Sequence, residues 1–308
     1  MEVAEVFDDL IGQKTAKKWL TATLGSGDLP QALIFAGPKG TGRKTAARML
    51  ARYLHNQGRD ILDSSTSLRM TGEKMDSRLR GNDGGIHPDT FWYSQILEEV
   101  SRGETREWID AMRELIRKLT MSPMASKYKV AIIDDGEKLN EFAQNAILKT
   151  FEEPRGDTVI IFIVPNEEVL LPTIVSRAQV VRFGPLSAEE IKQIVPEASN
   201  EQIVASGGSA GQVKDWVEMP IWWVDHKAMI AFWQKVQTAD IETKFTWAGK
   251  FKERDEAVEF IRTGMLVWRA MLPDAKAAKG LERMGLAVEQ IRDNVNLRGA
   301  IDTLLLAL

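Results

Sequence analysis

The stretch QALIFAGPKGTGRKT at residues 31–45 decides the fold of this chain. Residues 31–36 are short and apolar and end at a glycine, which is typical of a buried strand. A glycine-rich turn follows, and residues 46–54 form a strong helix-forming run. This order predicts a phosphate-binding loop, because the amides of such a turn and the N-terminus of the following helix favour an anion.

Further apolar strands and helices alternate along the next part of the chain. Continuous apolar runs predict strands at 129–135, 158–164 and 180–183, and helical periodicity predicts helices at 105–119 and 140–153. This alternation indicates an α/β fold, in which a parallel sheet is covered by helices on both faces. No strand pattern follows residue 186. Just after it, Ser187 and Glu190 give a capping-box signature, which is typical of the start of a helix.

We divide the chain into three parts from these patterns. The first is a core at 1–185, interrupted at about 56–86 by a polar insertion without sustained periodicity. The second is a small helical unit at 186–217, and the third is a helical domain at 218–308. The tryptophans of this last domain predict an apolar core or a subunit interface in preference to stacking on bases.

The composition of the 308 residues excludes several classes of protein. Hydrophobic residues make up 44% and charged residues 27%, which excludes wholesale disorder. The absence of cysteine excludes disulfides, cysteine-based zinc modules, iron–sulfur clusters and thiol catalysis. A net charge of −4 argues against nucleic-acid binding over the whole surface, although a local basic patch stays open. We expect a cytoplasmic protein with no membrane partner, because no signal-peptide pattern or long apolar run occurs.

The loop departs from the full signature G-x-x-x-x-G-K-[ST] at its last two positions. The frame is kept by Gly37, Pro38, Gly40 and Gly42. Arg43 stands where a lysine would reach the phosphates, and Lys44 stands where a hydroxyl would bind magnesium. A protonated lysine has no lone pair for a metal, and Thr45 supplies a hydroxyl one residue late. A bulge that brings Lys44 and Thr45 into place is the alternative.

Two carboxylates, Asp134 and Asp135, end the predicted strand at 129–135. The first could hold magnesium near a nucleotide. The second would polarise the attacking water, but aspartate is one methylene shorter than the usual glutamate, and such a displacement costs rate. A solvated strand end is the alternative for this pair taken alone.

Several strings together resemble the AAA+ clamp-loader family, and within it the delta-prime subunits of bacterial DNA polymerase III. The matching strings are FDDLIGQ (7–13, N-terminal box), GPKGTGRKT (37–45, Walker A), KVAIIDDGEKL (129–139, Walker B), AQNAILKTFEEP (143–154, signature helix), LLPTIVSRAQ (170–179, Ser-Arg-Cys segment) and SGGSAG (206–211, lid helix). The resemblance implies an AAA+ P-loop-type parallel sheet, a small helical lid at 186–217 and an all-helical oligomerisation collar at 218–308.

The resemblance also implies roles for single residues. Ser176 and Arg177 match the Ser-Arg-Cys motif, whose arginine acts on the γ-phosphate held by a neighbouring subunit, so Arg177 is implied as an arginine finger in trans. A surface ion pair is the alternative for this arginine. Gln212 is implied at the sensor 2 position of the lid, where the family has an arginine. Lys149 is either a DNA contact or a solvent-facing charge.

The departures imply a specific kind of subunit. Groups that would act on the chain's own nucleotide are altered, whereas Arg177 is kept. A hydrolysis-deficient stator is therefore implied, which would help load a sliding clamp onto primer–template DNA together with motor ATPase and delta-type subunits. Neither tightly bound ATP–magnesium nor another cofactor is expected.

No zinc is expected either. The family's four-cysteine zinc module has no counterpart in the insertion, and the three histidines, His55, His87 and His226, are scattered along the chain.

Two other functions stay open from the sequence. One is an active gamma/tau-like motor subunit that hydrolyses ATP with an unusual Walker A register. The other is a stand-alone AAA+ nucleotide switch outside replication.

Overall fold

The computed structural model describes residues 3–56, 87–94, 96, 107–152, 157–292 and 295–308. Nearly all of the insertion predicted at about 56–86 lies outside these ranges. The strands are β1 (Ala32–Ala36), β2 (Thr90–Trp92), β3 (Lys129–Ile133), β4 (Thr158–Val164) and β5 (Gln179–Arg182). The first helices are α1 (Lys14–Ser26), α2 (Arg43–Asn56), α3 (Glu107–Thr120), α4 (Glu141–Glu152), α5 (Pro172–Val175) and α6 (Ala188–Ile194). The later helices are α7 (Asn200–Ala205), α8 (Ala210–Glu218), α9 (Pro220–Lys235), α10 (Ile241–Ala248), α11 (Arg254–Arg269), α12 (Ala275–Arg292) and α13 (Leu297–Ala307).

The five strands form one parallel sheet in the order β2-β3-β4-β1-β5. Strand β1 therefore lies between β4 and β5, and its last residue, Ala36, is in register with Val164 and Arg182. The carboxyl ends of all five strands point to the same edge of the sheet. The glycine-rich loop leaves the sheet at that edge, which is where parallel α/β sheets place their ligand sites.

Both faces of the sheet are covered, as predicted. Leu33 and Phe35 of β1 pack into an apolar cluster that includes Leu20 of α1 and Leu50 of α2. The alternate residue, Ile34, packs into a second cluster on the opposite face, which includes residues of α3 and α4. This alternation follows from the period of two in a strand, and it explains why the strand has no polar position.

The structure corrects some predicted elements. The strand predicted at 129–135 ends at Ile133, because Asp135 takes a left-handed conformation (φ 52°) at the start of a short turn. Strand β2 was not predicted, since three residues are too few to show a period. The helix predicted at 140–153 and the strand at 158–164 are confirmed within one residue. The Ser187 capping box is formed with Glu190 at the start of α6.

The chain separates into two compact units. The first contains Met1–Pro196 and Gly208–Gly211, and the second contains Glu197–Gly207 and Gln212–Leu308. The boundaries expected at 185 and 217 stay a prediction. In the second unit the described elements are helices, and Trp233 and Trp268 are buried in its core, which confirms the prediction of a core role for these two.

Among the buried tryptophans of the second unit, Trp233 and Trp268 donate hydrogen bonds through their indole nitrogens. Trp233 Nε1 donates to the Phe260 carbonyl at 2.8 Å, and Trp268 Nε1 donates to the Trp233 carbonyl at 3.1 Å. Trp222 differs from them, because half of its surface is exposed.

The histidines are less scattered than the sequence indicates. His55, at the end of α2, stacks on His87 with 3.8 Å between ring centroids. The two ring nitrogens of His55 lie 2.8 Å from the Ser126 hydroxyl and 2.6 Å from the Thr90 hydroxyl. The expectation of wide separation is therefore wrong for this pair. Even so, in the part of the chain that the structure describes, no group of three or more His, Asp or Glu side chains could hold a metal.

No helix in the described ranges combines the length and the apolar character that crossing a bilayer requires.

Asp89 connects β2 to the segment that precedes β3. Its buried carboxylate accepts hydrogen bonds from the backbone N–H groups of Met124 (2.6 Å), Ala125 (2.8 Å) and Ser126 (2.9 Å). Burial alone would raise the pKa of Asp89, but the three donors, with His87 nearby, outweigh burial and lower this pKa below its ordinary 3.8.

We predict that Asp89→Ala destabilises the chain by about 2–4 kcal/mol at pH 7, because three buried N–H donors lose their acceptor. A lowered carboxyl pKa means that the stabilisation is complete above the ordinary value of 3.8 and is lost as the pH falls through the lowered pKa. Urea unfolding of both chains between pH 3 and pH 7 measures this, in steps of about one pH unit. An unfolding difference that grew towards low pH would contradict it.

Candidate functional site

The glycine-rich loop lies between the carboxyl ends of β4 and β5. The Gly37 N–H donates to the Val164 carbonyl at 3.1 Å, and α2 begins at Arg43. Inside the loop, the buried Thr41 hydroxyl donates to the Pro38 carbonyl at 2.8 Å. The strand, loop and helix expected around 37–45 are therefore all present.

Gln13 holds the loop from outside. Its Nε2 donates to the Thr41 carbonyl at 3.1 Å and to the Gly184 carbonyl at 2.7 Å, and its Oε1 accepts from the Gly184 N–H at 3.0 Å. Residue 13 takes a left-handed conformation (φ 52°) to reach both sides. Sequence reasoning assigned Gln13 no role beyond its place in the string FDDLIGQ.

Arg43 is directed towards the protein. Its side chain is buried, and Nη1 donates to the Val164 carbonyl at the end of β4. The Arg43 charge by itself would lower the pKa of Glu137. Desolvation, followed by the neighbouring Asp135 carboxylate, outweighs this effect and raises that pKa. A guanidinium used in this way links the start of α2 to the end of β4.

Lys44 forms an ion pair with the first strand-end carboxylate. Its Nζ lies 3.0 Å from Asp134 Oδ2, and Asp134 is buried whereas the lysine side chain is 46% exposed. Asp134 also accepts from the Ser94 hydroxyl at 3.0 Å and from the Ser94 N–H at 3.2 Å. The next residue on α2, Thr45, is exposed.

This set of donors does not fit a magnesium ion. Magnesium needs oxygen ligands in a near-octahedral arrangement. At this position the chain offers an ammonium group, and the carboxylate that could serve as a ligand already accepts three hydrogen bonds. The ammonium supplies the positive charge that a metal would otherwise bring to Asp134.

The second carboxylate is engaged locally. Asp135 Oδ2 lies 3.6 Å from Lys138 Nζ, and both side chains are roughly half exposed. Its left-handed backbone turns the chain away from the strand direction immediately after Asp134. The two carboxylates that the sequence grouped together therefore have different partners.

Ser176 and Arg177 lie on the surface just after α5. Arg177 Nη1 donates to the Thr173 carbonyl at 3.1 Å and lies 3.5 Å from the Ser176 hydroxyl, which itself donates to Thr173 at 3.2 Å. The guanidinium is exposed. Arg177 lies in the chain between the short helix α5 and the edge strand β5. Arg177 is thus exposed to solvent, whereas Arg43 and the carboxylate of the Lys44–Asp134 pair are buried.

Gln144 of α4 positions the segment that leads to Arg177. This buried amide donates to the Leu139 carbonyl at 3.1 Å and accepts from the Leu171 N–H at 2.7 Å. Leu171 is the residue before α5. Sequence reasoning missed this residue, because a glutamine inside a helix gives no sign of its long-range partners.

Gln212, the residue expected at the sensor 2 position, has a side-chain partner in the second unit. Gln212 Nε2 donates to Glu259 Oε1 at 2.8 Å within the second unit. Its neighbour Gly211 donates instead to the Gly40 carbonyl of the loop at 3.1 Å, a contact that the sequence did not indicate.

Lys149 is exposed on α4, as both interpretations of it require. Phe142 lies two turns earlier on the same helix and is 73% exposed.

We predict that Gln144→Leu, which keeps the volume and removes the polar atoms, destabilises the first unit by about 1–3 kcal/mol. The Leu171 N–H would then be buried without its acceptor. Equilibrium urea unfolding gives the loss, and Asn145→Leu on the exposed side of α4 is the matched control. Equal unfolding midpoints for the two variants would contradict the positioning role of Gln144.

Comparison with known proteins gives a family and several relatives. A family model described as "DNA polymerase III, delta subunit" matches residues 12–187. The subunit delta' of DNA polymerase III from Pseudomonas aeruginosa is 31% identical over 187 residues, which cover 58% of this chain and 53% of that protein. Subunit tau from Bacillus subtilis is 26% identical over 215 residues, which cover 67% of this chain and 35% of that protein. The chain thus spans about a third to a half of the length of these relatives.

A solved structure also aligns with the chain. It is a DNA polymerase III gamma subunit-related protein from Thermotoga maritima, with a TM-score of 0.47 and 15% identity, over 93% of this chain and 97% of that one.

Proposed function

We propose a function on the premise that this chain belongs to the family described as DNA polymerase III, delta subunit, whose model matches residues 12–187. The chain is a clamp-loader-type subunit of DNA polymerase III and acts in DNA replication. Within that assembly it is a delta-prime-like stator, which does not hydrolyse ATP itself and supplies an arginine to a neighbouring ATPase subunit.

The ion pair between Lys44 and Asp134, at 3.0 Å, carries the proposal. In phosphate-loop ATPases a hydroxyl at the lysine's position and an acid after a buried strand share one magnesium ion. Here the chain's own ammonium group takes the carboxylate, so ATP–magnesium would have to break the pair before it could bind. The tethered ammonium group therefore competes with magnesium for the same carboxylate, and this competition weakens the binding of ATP–magnesium.

Arg43 supports the same conclusion. A lysine at this position would be a compact, mobile charge for the β- and γ-phosphates. The guanidinium is instead buried and donates to the Val164 carbonyl. Two positive side chains that follow the loop are thus both directed to protein groups, so the loop has weak affinity for a nucleotide.

Arg177 supports the second half of the proposal. It is exposed, it lies just after α5, and Gln144 holds Leu171, the residue before that helix. An exposed guanidinium on a fixed segment can reach a phosphate on another subunit and stabilise the charge that develops there. The partners of the chain are then a motor ATPase subunit, a delta-type subunit, the sliding clamp and primer–template DNA, with Lys149 as a candidate DNA contact.

A gamma/tau-like motor is the second candidate. The relative named tau favours it, as does the intact strand–loop–helix frame. In that case Lys44 would leave Asp134 when the nucleotide binds.

We predict that the double variant Arg43→Lys, Lys44→Thr gains magnesium-dependent ATP binding, because it rebuilds the full loop signature and releases Asp134. The affinity of the purified chain for a fluorescent ATP analogue should rise at least about tenfold over wild type when magnesium is present. Arg43→Lys alone is the control and should lack the magnesium dependence. Rapid ATP hydrolysis by the wild-type chain alone would instead favour the motor.

We predict that Arg177→Ala lowers the ATPase rate of the reconstituted assembly by about 10³-fold at the neighbouring site, since arginine fingers contribute on this scale. The variant should fold normally, because its side chain is exposed. The matched control is Arg182→Ala, which removes an exposed arginine that pairs with Glu167 close to Arg177 in the chain. If both variants kept the wild-type rate, Arg177 would have no role in trans.

A further inference from the structure

Residues Gly208–Gly211, which we call the strap, lie against the glycine-rich loop. The Gly211 N–H donates to the Gly40 carbonyl at 3.1 Å, and the Leu186 N–H donates to the Gly208 carbonyl at 2.9 Å. The strap belongs to the first compact unit, although the residues on either side of it belong to the second. Two backbone hydrogen bonds therefore join it to the loop and to the segment after β5.

Gln13 completes a closed series of hydrogen bonds around the loop. Its side chain joins the Thr41 carbonyl to both backbone groups of Gly184, two residues before Leu186. The series runs from the loop to Gln13, then to residues 184–186 and then to the strap. It returns to the loop at Gly40. Two consecutive loop carbonyls, those of residues 40 and 41, thus both have protein donors.

The approach of the strap is close enough to require glycine on both sides. A Cβ atom at Gly211 would lie 2.8 Å from Gly40 Cα, and a Cβ atom at Gly40 would lie 2.2 Å from the Ser209 hydroxyl oxygen. Gly40 also has a positive φ of 77°, which a side chain disfavours. Because the Gly211 contact is with main-chain atoms, rotation of a side chain would not relieve it.

We infer that the strap keeps the phosphate loop in one conformation without any ligand. A flexible loop must lose conformational freedom when it binds phosphate, and here the protein's own backbone groups have already removed that freedom. The loop is a fixed structural part that does not respond to a nucleotide. The inference deepens the proposed function and rests on it in one respect, since a stator needs a core whose shape is independent of the nucleotide.

The test is Gly211→Ala in the full chain, read by hydrogen exchange of backbone amides without nucleotide. The added methyl group should push the strap from Gly40 and raise the exchange rates of peptides that cover 37–45 and 208–213 by about tenfold or more. Peptides from β3 and β4 should keep their rates. Gly25→Ala is the matched control, because a Cβ atom there meets nothing within 4 Å.

Two outcomes would overturn the inference. One is loop exchange in Gly211→Ala that stays equal to that of Gly25→Ala. The other is a uniform rise that includes β3 and β4, which would make Gly211 a residue of general stability. If Gly211→Ala does not fold, Gln13→Ala interrupts the same series at Thr41 and decides by the same peptides. The experiment reads no ATPase activity, so its failure is distinct from a failure of the arginine-finger proposal.

Discussion

The charge on buried Asp134 is the constraint around which the first unit is arranged. A carboxylate at the end of a central parallel strand cannot lie buried without a partner of opposite charge. A metal or a protein cation can satisfy that requirement, and this chain uses Lys44, assisted by the hydroxyl and the N–H of Ser94. This cation comes from the first turn of α2. The edge of the sheet where α/β proteins bind ligands is therefore occupied by contacts within the protein.

Arginine residues illustrate how the surroundings of a side chain separate its roles. Arg43 and Arg177 have the same chemistry, yet one is buried and bonded to a strand end and the other is exposed beyond a short helix. The buried one stabilises its own domain and has no access to a second molecule. The exposed one retains that access, and the Gln144 amide keeps its supporting segment in place. The proposed division of work between subunits follows from this contrast in burial.

The sequence predicted the central strands β1, β3 and β4 well because they are almost entirely apolar and buried, and such runs have few other stable places in a folded chain. It failed where the decisive contact joins residues far apart in the chain. Strand β2 is too short to show a period, and the stack of His55 on His87 depends on how α2 and β2 meet. The loop departures at Arg43 and Lys44 were evident, but their partners Val164 and Asp134 required coordinates. Gly211 was missed for a similar reason, since only the closeness of Gly40 explains why residue 211 lacks a side chain.

The stacked rings of His55 and His87 have a consequence for how this protein can vary. They hold the end of α2 against the segment that leads into β2. When the ends of a connection are fixed side by side, doubling its length costs only about 0.6 kcal/mol in closure entropy. Evolution can therefore lengthen, shorten or replace the sequence between them while the sheet stays the same. For the same reason, this junction is a natural place to graft a reporter or an affinity tag.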